Sequence, residues 1–376
     1  MKITILQEKL KEGIKTVERV SQKTLTLPIL QNISISAEKN FLNLKTTNLE
    51  IGINWWGLAK VEKEGEILVP TRILSDLVSF LPAKPITLEV KGLNLSLQCG
   101  DYQTDLRGLS GSEFPIIPQL KEGEQISVDS KVFCQALSQV VNVASPSVTR
   151  PEISGIFFLF QKDLIKMVAT DSFRLAEKKL FLKSPLLKEY SLILPQQTTR
   201  EIINIFSEKT GDIQIYFSAN QVLFECIMPE LSHPQVQLTS KLIDGEYPDY
   251  EAIIPKKYET QAVLPRNELL NQIKTASIFS GKINEVRLKI DPKEKKVYLS
   301  SQNPDLGEYK SFLVGKINGK ENQISFNHRF LADGISEIKT PEVVFEISNE
   351  ENPAIFKPAP PADEGYLYVV MPIKAS

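Results

Sequence analysis

The side chains best able to do chemistry in this chain of 376 residues are few and scattered. Its two histidines, His233 and His328, each lack a neighbouring cysteine or second histidine at metal-ligand spacing. Cys99, Cys134 and Cys226 stand far apart in apolar or strand-like surroundings, without a C-x-x-C pattern, and read as small core residues of a reduced compartment. No Gly-Lys-Ser/Thr phosphate loop and no G-x-S-x-G elbow occurs. Asp171 and Arg174 could be an acid beside an anion clamp, which leaves a hydrolase as an outside reading. Their counterparts elsewhere are Asn48 with Ile51 and Asn303 with Leu306. A turn-capping role for Asp171 therefore fits better. Arg72, Arg200 and Arg329 each follow a short apolar strand and open a helical pattern. A cation near a helix N-terminus works against the helix dipole, so three of them invite an external anion; ordinary solvated arginines are the alternative.

The elements that position these residues recur. A strand ending in a Thr/Asn/Asp turn appears at Leu42 to Asn48, Ile165 to Asp171 and Val297 to Asn303, at intervals of 123 and 132 positions. A short apolar strand running into a helix start appears at Glu66 to Pro70, Ser191 to Pro195 and Asn322 to Asn327, at intervals of 125 and 132. Two independent landmarks thus give one period, and the repeating object is a domain. Each copy also opens with a helix, expected over Gln7 to Gln22, Asp129 to Ala144 and Pro265 to Ser280. In the first, Leu10, Ile14 and Val17 form an apolar stripe and Lys11, Lys15 and Arg19 a basic one. The remaining runs alternate apolar and polar residues and are joined by short turns such as Lys91-Gly92, which favours antiparallel hairpins over β-α-β crossovers. The expected fold class is α+β, with three tandem copies of two helices packed on antiparallel sheet, bounded at 1–119, 120–254 and 255–376.

The composition, 42% hydrophobic and 24% charged, is that of an ordinary globular chain. The start, Met1 to Lys9, has no apolar core before its charges, and no apolar run approaches the roughly 20 residues of a membrane span, so the chain reads as cytoplasmic. The formal net charge is −2, divided as +1, −4 and +1 over the three copies. Any DNA contact is then local or weak, and any positive surface is made by arrangement rather than by excess charge.

The sequence resembles the bacterial DNA polymerase III β subunit, the sliding clamp family, over its full length. The resemblance is carried by Thr26-Leu27-Pro28-Ile29-Leu30, Thr47-Asn48-Leu49-Glu50, Phe114-Pro115, the run from Val168 to Ala176, the run from Ser240 to Tyr250, and Tyr368-Val369-Val370-Met371-Pro372. It implies a head-to-tail homodimer closing a ring around double-stranded DNA without sequence preference, with helices lining the hole. It implies no cofactor, no metal, no catalysis and no membrane. The DNA-facing candidates are Lys11, Lys15, Arg19, Lys23, Arg72, Arg200, Arg266, Lys274 and Arg329, with Arg150 on a loop. The subunit boundary would pair the strand at Thr104 and Leu106 with the region of Ile278 and Phe279.

The family also implies a groove between the second and third copies that takes short peptides from the replicative polymerase, the clamp loader and repair proteins. Carried over by position, it comprises Ile153, Thr170, Ser172, Phe173, Arg174, Leu175, Pro248, Ile253 and Ile283. The rest are Asn327, Phe330, Pro353, Ala354, Val369, Val370, Met371, Pro372 and Ile373. Ser172-Phe173 replaces the family's common Gly-His, Ala252 replaces an arginine of some members, and the tail runs on as Ile373-Lys374-Ala375-Ser376. These departures bear on peptide preference. The other reading is a peptide-binding scaffold with the same fold and no ring, suggested by the near-neutral charge and the sparse basic residues of the second copy.

Overall fold

The computed structural model describes residues 1–21, 27–118, 120, 124–147, 149–182, 185, 186, 188–361 and 365–374. Lys23 lies outside them. Six α-helices occur among the described residues: α1 (Gln7–Val17), α2 (Thr71–Phe80), α3 (Ser130–Val140), α4 (Gln196–Phe206), α5 (Arg266–Ser277) and α6 (His328–Glu337). Both landmark series fall where expected. The first lies in the strands Phe41–Thr47, Leu164–Thr170 and Lys296–Asn303. The second lies in Gly65–Pro70, Tyr190–Pro195 and Asn322–Asn327, which run directly into α2, α4 and α6. The opening helices are shorter than the periodicity suggests, because α1 and α3 tighten into single 3-10 turns at Glu18–Val20 and Val141–Val143.

The chain divides into two compact units that do not follow the repeat. The first holds Met1–Cys134 and Arg200–Leu242; the second holds Gln135–Thr199 and Ile243–Ser376. The middle copy is shared because its strands pair with both neighbours. In the first unit Pro234–Lys241 runs antiparallel to Ile51–Leu58, with Ser240 opposite Ile51, and completes an eight-stranded sheet. In the second, Arg174–Phe181 runs antiparallel to Tyr366–Val370, with Arg174 opposite Val370, and completes a nine-stranded sheet. Each unit adds a smaller sheet, of five and four strands respectively.

Helices seal these sheets through their apolar stripes. Leu10, Ile14 and Val17 of α1 are fully buried, and Gly13 lets the helix lie on the Trp55 ring, where a Cβ would come within 2.5 Å. Leu331 and Ile335 of α6 are buried in the same manner, and Gly334 lies against the ring of Tyr368. The three cysteines are free and buried, and burial pushes the Cys134 thiol up to about 12.

Candidate functional site

The Thr/Asn/Asp turns are one device built three times. Asn48 Oδ1 accepts from the amides of Glu50 (3.0 Å) and Ile51 (2.7 Å). Asp171 Oδ1 accepts from those of Phe173 and Arg174, both at 3.0 Å, and Asn303 Oδ1 from that of Asp305 at 2.9 Å. In the first two copies the next residue, Leu49 or Ser172, sits at φ 76°, and the preceding threonine hydroxyl accepts its amide. Asp171 is therefore an Asx-turn cap, as its counterparts suggest.

Of the three turns, that of the middle copy alone adds a cation. Arg174 donates from Nε to Asp171 Oδ2 (2.9 Å), from Nη1 to Asp333 of α6, and from Nη2 to the Asn142 carbonyl (3.2 Å). Its Cζ lies 4.6 Å from the centre of the Phe330 ring. Burial works against the guanidinium charge, but Tyr368, Asp333 and Asp171 outweigh it and hold the pKa above its ordinary value. The result is a fixed cation that ties the 171–173 turn to α6. Asp333 and Asn142 were not foreseen, since they meet Arg174 from 159 and 32 residues away.

Around this anchor the expected groove positions separate by exposure. Phe173 is 61% exposed and stacks on Phe330 with ring centres 6.3 Å apart. The Met371 amide donates to the Phe173 carbonyl (2.8 Å), and the Ile373 amide donates to that of Ser325 (2.8 Å), so the tail follows the turn and then α6's approach strand. Met371, Pro372, Ile373, Pro353, Asn327, Phe330 and Pro248 are half-buried, whereas Ile253 and Ile283 are exposed. Asn327 caps α6, accepting the Arg329 amide. Ile283 adjoins Asn284, whose carbonyl accepts the His328 amide. Ser172 receives a bond from Arg150 Nη1 (3.1 Å), which sets that arginine beside the turn. By contrast Ile153, Thr170, Leu175, Ala354, Val369 and Val370 are buried. Leu175 and Val369 are covered by Tyr250 of the following linker, so they supply a floor and not a reachable wall.

The basic candidates separate too. Lys15, Arg19, Arg72, Arg150, Arg200, Lys274 and Arg329 are exposed, and Lys11 is half-buried. Among the described residues Lys11, Lys15, Lys274 and Arg329 form no ion pair, while Arg19 meets Glu201 (3.4 Å), Arg72 meets Asp76 (3.9 Å) and Arg150 meets Glu152 (3.0 Å). Next to this stripe, burial pushes the Glu12 carboxyl up, but Lys209 and Lys9 outweigh it and hold its pKa below the ordinary value. Arg266 departs from expectation: its Nε and Nη2 cap the Ile335 and Ser336 carbonyls at the end of α6 (3.2 and 2.9 Å). Its donors are spent on a helix terminus, where a cation favours the dipole. Arg200 also lies a turn deeper in its helix than Arg72 and Arg329 do in theirs.

Models of the DNA polymerase III beta subunit match the chain throughout: the N-terminal domain over residues 1–118, the central domain over 127–249 and the C-terminal domain over 251–374. The chain belongs to the DNA polymerase III beta subunit family. A relative from Bacillus subtilis (strain 168), named beta sliding clamp, is 27% identical over 386 residues and covers both chains in full. One of the same name from Staphylococcus aureus (strain Mu50) is 28% identical over 369 residues, covering 96% of this chain and 95% of its own. Among solved structures, the DNA polymerase sliding clamp of Bacillus subtilis superposes with a TM-score of 0.94 at 26% identity, over the whole of both chains. A Pseudomonas aeruginosa sliding clamp bound to griselimycin superposes with a TM-score of 0.93 at 25% identity, again over both chains in full.

In this chain the sheet edges are the other notable surface. Thr104 and Leu106 lie half-buried on Tyr102–Arg107, which ends the five-stranded sheet of the first unit. Ile278 and Phe279 are not on a strand; they follow α5, with Ile278 63% exposed. The Phe279 ring stacks on Tyr309 (6.3 Å, 7°), and Tyr309 belongs to Gly307–Val314, the last strand of the four-stranded sheet of the second unit. Each unit therefore ends one small sheet in a strand whose outer backbone groups have no strand beside them among the described residues.

Proposed function

We propose that the chain is a DNA sliding clamp: two copies close head to tail into a ring around duplex DNA and tether the replicative polymerase and other DNA-processing proteins for processive synthesis. The observation that carries this reading is the threefold repeat across a chain of the beta subunit family, with an arginine near the start of each second helix. A similar basic surface recurring in every copy is what a hole around a rod of phosphates requires. Lys11, Lys15, Arg19, Arg72, Arg200, Lys274 and Arg329 are its contacts. They are dispersed on a chain of formal net charge −2, so the attraction is weak enough to permit sliding. The chain does no catalysis in this role and acts in the cytoplasm, and the copies meet near residues 119 and 254. The head-to-tail contact joins Tyr102–Arg107 to the Gly307–Val314 edge of the other chain, with Leu106, Ile278 and Phe279 packed beside it. Light scattering at micromolar concentration should give a particle near twice the 42.3 kDa chain mass. A monomer would instead favour the scaffold without a ring.

Partner peptides enter the second unit over Phe173, Phe330, Ile253 and the Met371 to Ile373 tail, above the floor of Leu175 and Val369. Half-buried Met371 beside the exposed Phe173 ring and the half-buried Phe330 ring gives an adaptable apolar surface. Truncating Met371 to alanine should weaken partner peptides by about 1 to 2 kcal/mol while leaving the dimer intact. Isothermal titration with a polymerase-derived peptide measures this, and unchanged affinity would place the groove elsewhere.

A further inference from the structure

The two linkers between copies follow one pattern, Glu113-Phe114-Pro115-Ile116-Ile117 in the first unit and Glu246-Tyr247-Pro248-Asp249-Tyr250 in the second. Each packs against its large sheet, and the Asx turns set the register between them. Counting from Asn48 and Asp171, Lys45 corresponds to Val168, Gly52 to Leu175 and Asn54 to Glu177. Strand pairing adds Ser34, opposite Lys45, as the counterpart of Phe157, opposite Val168.

The second unit fills this face. Tyr247 stacks on Phe157 with ring centres 4.8 Å apart, and Tyr250 packs on Val168, Leu175 and Val369 while donating its hydroxyl to buried Glu177 (2.9 Å). The first unit does not. Ile117 takes the place of Tyr250 and sits on Gly52, where a Cβ would come within 2.7 Å of it. Serine and lysine replace Phe157 and Val168, and a cavity is left under the linker, lined by Ser34, Lys45, Asn54, Trp56, Glu66 and Phe114. Asn54 is 8% exposed and its Oδ1 accepts no hydrogen bond among the described residues. Neither Lys45 nor Glu66 forms an ion pair among the described residues. An unmatched buried acceptor is costly, and here it stands where the other copy receives a phenol.

We propose that this cavity is a second recognition site, distinct from the peptide groove, that takes a tyrosine side chain presented by a partner peptide. Its hydroxyl donates to Asn54 Oδ1 as that of Tyr250 does to Glu177, and its ring lies on the apolar side made by Trp56, Phe114 and Ile117. An apolar body with one polar tip is the chemistry such a cavity selects.

The test uses the full chain and p-cresol, the tyrosine side-chain analogue, followed by ligand-detected NMR and by thermal unfolding. Saturable binding on the order of millimolar is expected for so small a ligand, with a rise in Tm. Asn54→Leu should weaken it by about fivefold or more, the worth of one hydrogen bond. Ile117→Tyr, which supplies the chain's own phenol, should abolish binding and raise the Tm of the unliganded protein. Met371→Ala, which bears only on the peptide groove, should leave p-cresol binding unchanged. Absence of saturable binding to the wild type, or undiminished affinity in Asn54→Leu, overturns the proposal even if the peptide groove stands.

Discussion

Replacing Gly334 with alanine should destabilise the second unit by about 2 to 3 kcal/mol, although alanine is the better helix former by about 1 kcal/mol. A Cβ at this position would lie 2.2 Å from Cδ1 and Cε1 of Tyr368. That ring is fully buried, and its hydroxyl donates to the Phe330 carbonyl at 2.8 Å. Tyr366 donates to the Gly334 carbonyl itself at 3.3 Å. Neither the helix nor the strand can retreat without breaking one of these bonds. The glycine is thus a packing requirement, since φ at Gly334 is an ordinary helical one. Urea unfolding of the variant measures the loss, and Tyr368→Leu added to it should recover part of the stability by opening the contact. Unchanged stability in the single variant would mean that the helix can stand off from the sheet.

The Arg174 anchor makes the other large prediction. Arg174→Ile should cost about 2 to 4 kcal/mol, because it leaves the largely buried Asp171 carboxylate without its counter-charge. Asp333 contributes little to that figure, being half exposed at 51%. The first copy shows what the turn needs when no arginine is present: Asn48 with Ile51 builds the same turn from a neutral amide. Asp171→Asn combined with Arg174→Ile should therefore recover more than half of the loss, while the grip between the turn and α6 stays broken. Peptide affinity should then remain reduced when stability has returned. Chemical unfolding and peptide titration on the single and double variants separate these effects. A double variant no more stable than Arg174→Ile alone would show that the carboxylate is not the source of the cost.

The repeat was readable because strand-to-turn and strand-to-helix junctions demand particular residues locally, and those residues recur at nearly constant intervals. Asp171 as a cap followed from its neighbours in the other copies for the same reason. Helix lengths were overestimated where apolar spacing continues through a 3-10 turn, as at Glu18–Val20. Arg266 could not be told from the other basic candidates, since the carbonyls it caps lie about 70 residues away in sequence. The burial of Leu175 and Val369 likewise depends on Tyr250 crossing the sheet from the linker. What remained hidden is what only tertiary contact decides: which polar side chains meet, and which apolar ones are covered.

Encirclement itself is tested most directly by topology. The protein should be loaded onto a nicked circular plasmid, passed through gel filtration in moderate salt, and the experiment repeated after the circle is cut once. A ring held by topology stays with the circle and slides off the linear form. Equal retention on both would show that the protein holds DNA by surface contacts alone, and the account of a closed clamp would fail.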